Sequence, residues 1–193
     1  MTAKVRGYHH GDLRATLVDI ALELVRECGP EGWSMREASR KAGVSQAAPY
    51  RHFADKSALL DAVGAEAYRE LERRYRAAIG ESSNPAGAAR VVTHAYLRFA
   101  LEEPRLFRLI FASPRLHGTP EAKSSYAVFE QAIRTAQDHA ALPRGSTTLL
   151  AHTLWSAIHG VADLVLSGSF GRRHGKEVAE SMIDALIRGL HVA

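Results

Sequence analysis

Ser34-Met35-Arg36-Glu37-Ala38-Ser39-Arg40-Lys41-Ala42-Gly43-Val44-Ser45-Gln46-Ala47-Ala48-Pro49-Tyr50-Arg51-His52-Phe53 is the stretch on which the fold turns. Ser34 with Glu37 three residues on forms a capping box, in which each side chain satisfies a backbone donor left free at a helix start. The helix it opens is predicted to run to about Ala42, where Gly43 ends it. Ser45 stands in place to cap a second short helix through Phe53. Two short helices around a tight glycine turn make a helix-turn-helix. Ala38 and Ala42 are small enough for the two helices to pack closely, and Val44 is available to plug the corner. The second helix opens on Ser45, Gln46, Ala47 and Ala48, whose short side chains let its N-terminus enter a major groove. There Gln46 has the two donors and acceptors needed to grip a base edge bidentately. Tyr50, Arg51 and His52 can reach phosphates or bases, while Ser34 and Lys56 sit where a backbone strand would pass. Pro49 falls at the fourth helical position, the first whose N–H normally bonds back into the helix, so the predicted cost is one bond and a stiffer first turn.

Charge supports that reading. Over residues 34–56, Arg36, Arg40, Lys41, Arg51 and Lys56 stand against Glu37 and Asp55, an excess of +3 in a chain of 193 residues whose total is +4. Such a basic stretch suits a polyanion. Upstream, Tyr8, His9 and His10 read as a mobile arm whose Lys4 and Arg6 touch phosphates or the minor groove, or equally as a disordered end.

Outward from this motif almost every segment repeats its apolar residues at helical spacing, and no alternating strand pattern stands out. Leu13, Leu17, Ala21, Leu24, Val25 and Cys28 form one stripe that Gly29-Pro30 stops. A long helix starts at Asp55 or Ser57 and carries Leu59, Val63, Ala67, Leu71 and Tyr75. After Asn84-Pro85 come helices with Val92, Tyr96 and Phe99, then Leu106, Phe107, Ile110 and Phe111, then Tyr126, Phe129 and Ile133 behind a Thr119-Pro120-Glu121 start. An apolar helix, Leu149 to Leu166, and a last one with Val178, Met182 and Leu186 complete an all-α chain of about nine helices. The expected division is a helix-turn-helix domain over residues 1–56 and a helical domain over 57–193. Leu149–Leu166 approaches membrane-spanning length, but His152, His159 and Asp163 are costly in a bilayer, so a buried helix of a soluble protein is expected. The lone Cys28 reads as a small buried hydrophobe in a reducing compartment, and the first residues carry no apolar core of a secretion signal, which together suggest a cytoplasmic protein.

The Gly43-Val44 turn, the Tyr50-x-His52-Phe53 run and Lys56-x-x-Leu59-Leu60 together resemble the DNA-binding signature of the tetracycline-repressor (TetR) family. A leucine usually precedes the tyrosine in that family, and Pro49 stands there instead. Trp155-Ser156-Ala157-Ile158-His159-Gly160 is similar to the Trp-x-x-x-His-Gly pattern of one subgroup's regulatory domain. The resemblance implies that Ser34, Arg36, Ser45, Gln46, Ala47, Tyr50, Arg51, His52 and Lys56 face DNA. It implies a homodimer through the last two helices, and operator binding, most often repressive, relieved by a small molecule. It puts Tyr96, Phe99, Phe107, Phe111, Tyr126, Phe129 and Trp155 around the effector, with His159 among the few polar groups. Such a lining suits a hydrophobic or aromatic molecule with one hydrogen-bonding end, because no glycine-rich phosphate loop or cluster of buried charges is visible.

The other chemistries are weaker. Ser156, His159 and Asp163 share a helix face, but one helix cannot aim all three at a substrate and no oxyanion donors accompany them, so no catalytic site is expected. His159 and Asp163 with His152 read as hydrogen-bonded residues rather than metal ligands, and no cofactor is expected. The alternative from another class is a stand-alone small-molecule-binding or interaction protein without operator binding.

Overall fold

A computed structural model describes residues 12–190, without the side chains of residues 171–173. The proposed arm around Lys4, Arg6 and Tyr8–His10 lies outside the described residues. Within them the protein is all-helical: α1 (Leu13–Cys28), α2 (Met35–Lys41), α3 (Lys56–Glu81), α4 (Ala88–Glu102), α5 (Pro104–Ala112), α6 (Pro114–His117), α7 (Pro120–Asp138), α8 (Thr147–Leu166) and α9 (Gly171–Gly189). Packing divides the chain between Gly64 and Ala65, inside α3, into two compact units.

In the first unit, Asp12 caps α1 by accepting from the Ala15 N–H at 3.0 Å. Leu17, Ala21, Leu24 and Val25 bury one face of that helix. Cys28 differs from expectation. It is the last residue of α1 and exposed, with its thiol donating to the Leu24 carbonyl at 3.1 Å. Ser34 caps α2, accepting from Glu37 N–H at 3.3 Å, but the Glu37 carboxylate turns to Arg40 at 3.8 Å. Ala38 and Ala42 are fully buried, and Gly43 turns the chain at φ +68°, the left-handed region that glycine enters without steric cost.

The second helix of the motif is shorter and tighter than its spacing predicts. From Ser45 onward the backbone makes successive three-residue turns. Ala48 N–H donates to Ser45 O at 3.1 Å, Arg51 N–H to Ala48 O at 3.2 Å and His52 N–H to Pro49 O at 3.0 Å. Only Pro49–Arg51 closes as a helix, and it is a 3₁₀ turn. Pro49 is the cause: it has no N–H to return to the Ser45 carbonyl, so the chain satisfies that carbonyl one residue early, from Ala48. Ser45 therefore contributes its backbone, not a side-chain cap. Asp55 then starts α3, its carboxylate accepting from Ala58 N–H at 2.8 Å.

In the second unit α4 is the central helix, packed against α5, α7, α8 and α9, which is why Val92, Tyr96, Phe99 and Ala100 are fully buried. Thr119 caps α7 as its Thr-Pro-Glu start predicts, accepting from Ala122 N–H at 3.3 Å, and Glu121 pairs with Arg69 on α3 at 2.6 Å. Gly175 brings α9 so near α8 that an added Cβ would stand 3.0 Å from Val165 Cγ1. Arg90 holds Asp184 of α9 through two 2.8 Å bonds.

Helix α8 corrects another expectation. It is long and apolar enough to cross a membrane by length and composition, yet only 28% of that apolar stretch is buried. Ala151, Leu154, Ile158 and Ala162 face inward. The opposite face carries Leu149 and Leu164, 67% and 43% exposed, with Thr153, Ser156 and Gly160 beside them. Among the described residues no neighbour covers Leu149 or Leu164.

Candidate nucleic-acid interface and ligand cavity

The 3₁₀ turn decides what the first unit presents. Ser34, Arg36, Ser45, Gln46, Ala47, Arg51 and His52 are exposed, and so is Tyr50, at 55%. Pro49 and Phe53 point the other way, into the unit, with Arg14 over the Phe53 ring at 5.3 Å. Ser34, Arg36, Arg40 and Gln46 share one groove of about 450 Å³ between α2 and the turn. Amide, hydroxyl, phenol and guanidinium groups are thus exposed on this unit beside positively charged side chains. That set can bond both base edges and phosphates.

Lys56 departs from its expected role. Its ammonium donates to the Trp33 carbonyl at 2.6 Å and lies 4.7 Å from the centre of the Trp33 ring. Trp33 O belongs to the residue before the α2 cap, where no helix donor reaches it, and the indole face attracts a cation. Lys56 is a half-buried strut that ties the start of α3 to the start of α2.

The second unit holds a cavity of about 340 Å³. Of the residues expected around the effector, Tyr96, Phe111, Tyr126, Phe129 and Trp155 line this cavity; Phe99, Phe107 and His159 do not. Phe99 and Phe107 are core residues, 0% and 2% exposed. His159 lies behind the wall, where its Nδ1 meets the Tyr96 hydroxyl at 2.6 Å and its ring stacks on Phe107 at 5.3 Å. The Trp155 indole, a donor only, directs its N–H to the Tyr96 oxygen. The Tyr96 proton is therefore free to go to His159 Nδ1, which leaves the imidazole neutral with its proton on Nε2. Burial agrees, lowering the His159 pKa below 6.5, with Asp163 opposing and His117 adding to the effect. Burial also holds the Tyr96 phenol well above 10.

Three lining residues come from α3, where Tyr68, Leu71 and Tyr75 occupy one face. The Tyr68 hydroxyl donates to the Ile110 carbonyl at 3.2 Å and its ring meets Phe111 edge-on at 6.1 Å. Tyr126 stacks on His152 at 5.4 Å and stands T-shaped to Trp155 at 6.1 Å.

Comparison with known proteins bears on both units. Residues 17–63 match the family model of bacterial regulatory proteins of the tetR family, and residues 89–190 match that of the tetracyclin repressor-like C-terminal domain. The chain belongs to the TetR family. It is 38% identical to the class D tetracycline repressor protein of Escherichia coli over 69 residues, 36% of this chain and 32% of that protein. It is 27% identical to the HTH-type transcriptional regulator BetI of Escherichia coli O127:H6 over 121 residues, 53% of this chain and 62% of that one. The chain thus spans about a third of the class D repressor's length and under two thirds of BetI's. Among solved structures, a protein of unknown function from Rhodococcus sp. RHA1 superposes with a TM-score of 0.81 at 29% identity, covering 97% of this chain and all of that one. A TetR-family transcriptional regulator from Pectobacterium atrosepticum superposes at 0.74, with 24% identity over 93% and 94% of the two chains.

In this TetR-family chain three of the cavity residues missed from sequence share one signal. Tyr68 and Tyr75, seven apart with Leu71 between, form an aromatic stripe on α3. Such a stripe reads equally well as core. The tyrosines differ from core leucines only in carrying hydroxyls that need partners.

Proposed function

We propose that this protein is a ligand-responsive transcriptional regulator, most simply a repressor, that binds an inverted-repeat DNA operator as a homodimer. The observation that carries this reading is the cluster of exposed Gln46, Tyr50, Arg51 and His52 on a turn braced from within by Pro49 and Phe53. One such turn touches too few bases for useful specificity, so two must act together, with half-sites one duplex turn apart, about 34–36 Å or a multiple of it. The exposed apolar faces of α8 and α9 are the surfaces for that pairing, forming a four-helix bundle. Phosphate contacts come from Ser34, Arg36 and Arg51, with His52 joining them. The aromatic cavity is the effector site, and the effector acts by binding the operator-free conformation more tightly than the bound one. A shift from 99:1 to 1:99 needs a preference of about 10⁴-fold, or about 5.5 kcal/mol. The same reading makes the chain a cytoplasmic binding protein rather than an enzyme.

The test is selection of bound sequences from random duplex DNA. An inverted repeat should emerge, with affinity falling steeply as salt rises because phosphate contacts release counterions. Salt-independent binding, or no enriched sequence, leaves the alternative of a ligand-binding protein without an operator.

A further inference from the structure

The hydroxyls that line the cavity differ in what they meet. Tyr68 gives its own to the Ile110 carbonyl, and Tyr96 gives its own to His159. The Tyr126 oxygen has no hydrogen-bond partner, but it is sealed even from a molecule the size of water. Tyr75 on α3 and Ser125 on α7 remain, and both line the cavity. Neither has a hydrogen-bond partner among the described residues, and neither oxygen is sealed as that of Tyr126 is. With only 2% and 3% of the two residues exposed, the space their hydroxyls open onto is the cavity itself. Ser125 stands one turn before Phe129 on the same face of α7, and the Tyr75 ring lies 5.9 Å from the Phe129 ring. The two hydroxyls therefore border one inner end. The rim lies elsewhere, at the exposed His117, Lys123 and Ala127.

We propose that the cavity seats its ligand polar end first, with a neutral carbonyl-type oxygen accepting from the Tyr75 and Ser125 hydroxyls and the apolar body lying toward Phe111 and Trp155. This deepens the reading of the cavity as the effector site and rests on it. A carbonyl oxygen has two lone pairs to meet two donors. Burial first, and Tyr68 second, hold the Tyr75 phenol well above 10, so it keeps its proton and donates. A ligand of the same shape without the oxygen would strip both hydroxyls of water and leave them unpaired, and that penalty selects the acceptor. The titratable groups of the lining other than the tyrosines are His117 and Lys123 at the exposed rim and Glu130. Glu130 is negative and already accepts from the Thr148 hydroxyl at 2.6 Å. An ion seated beside Tyr75 would thus be buried without a counter-charge. His159, the polar anchor expected from sequence, is bonded to Tyr96 and sits behind the wall.

Probes built on one frame separate the possibilities: 1-tetralone, tetralin, tetralin-1-carboxylate and 1-aminotetralin, titrated calorimetrically into the full chain, Tyr75→Phe, Ser125→Ala and the double variant. The substitutions remove only hydroxyls that bond nothing in the protein, so each variant should fold. The wild type should bind the ketone about tenfold or more above tetralin, the worth of two neutral hydrogen bonds. Each single variant should lose about three- to tenfold for the ketone and little for tetralin. The double variant should bind the two alike, and both ions should bind weakest. A spectroscopic signature accompanies the affinities. The infrared carbonyl stretch of bound tetralone should lie below its value in hydrocarbon solvent, as a hydrogen-bonded ketone does, and move back up in the double variant. A ketone advantage that survives the double variant, a stretch that it leaves unmoved, or tightest binding by either ion overturns the assignment. If ketone and hydrocarbon bind the wild type equally, the cavity remains a ligand site and only the role of the two hydroxyls falls. If no probe binds any of the four proteins, both readings fall together.

Discussion

Single residues carry separable roles in the first unit. Gln46 sits exposed at the leading end of the turn, so Gln46→Ala should relax preference at one base of each half-site, by about 1–3 kcal/mol. Competition between the selected operator and single-base variants measures it; equal loss on random DNA would place Gln46 on the backbone instead. Lys56 predicts something different, since its ammonium is spent on Trp33. Lys56→Met keeps the stem and removes the charge, and should lower unfolding free energy by about 1–3 kcal/mol in urea titration. An unchanged midpoint would return Lys56 to the role of a free phosphate contact. His159 predicts a pH effect. Its folded pKa lies below 6.5, so the unfolded chain takes the proton first. Its stabilisation is complete above about pH 6.5 and is lost as pH falls through the lower folded value, at no more than about 1.4 kcal/mol per pH unit. The melting temperature of His159→Gln should fall less steeply below pH 6.5 than that of the wild type, and parallel curves would contradict the shift.

At the scale of elements, the reading turn shows how far periodicity reaches. Ser34, Gly43 and Pro49 announce a cap, a turn and a missing donor, and all three are where the sequence puts them. The consequence of Pro49 was harder to read, because one lost bond at the start of so short a helix changes the hydrogen-bond spacing of the whole element. Pro49→Leu restores the N–H and should lengthen the turn into an α-helix, whose rise of about 1.5 Å per residue replaces about 2.0 Å. Tyr50 and Arg51 would then swing around the axis relative to Gln46. The variant should select a different operator while keeping its salt dependence, and selection of the same sequence would show that the 3₁₀ form has no bearing on specificity. The cavity was less legible for a related reason. An apolar stripe such as Tyr68-Leu71-Tyr75 states which face lies inside, but not whether the interior it meets is filled. Phe99 and Phe107 carry the same period and are core, whereas Phe111 and Phe129 border a void. Only the crossing of α3 with α5, α7 and α8 separates the two cases.

At the scale of the molecule, the unresolved account is surface. Leu149 and Leu164 on α8 and Met182 on α9, the last 42% exposed, lie outward among small residues. A stable partner contact buries about 1,200–2,000 Å² in total, which the proposed pairing would have to draw from these two helices of each copy. Met182→Glu places a charge in it and should give a monomer of unchanged helicity whose operator affinity is sharply reduced. Light scattering decides, and a wild type monomeric at micromolar concentration would remove the bundle from the account. The apolar composition of Leu149–Leu166 was plain in sequence. What covers it was not, because a helix buried by its own chain and one buried by a second copy obey the same rule.

The cation resting on Trp33 has an optical consequence. The chain has two tryptophans, one with Lys56 over its ring and the other, Trp155, in the cavity wall, so each unit contains its own fluorophore in a distinct electrostatic setting. A charge near an indole shifts and quenches its emission. Trp155→Phe should therefore leave an emitter that reports on the first unit, and Trp33→Phe one that reports on the cavity. Where the wild type answers both, the delay between the two signals after rapid mixing times the passage of the message from one unit to the other.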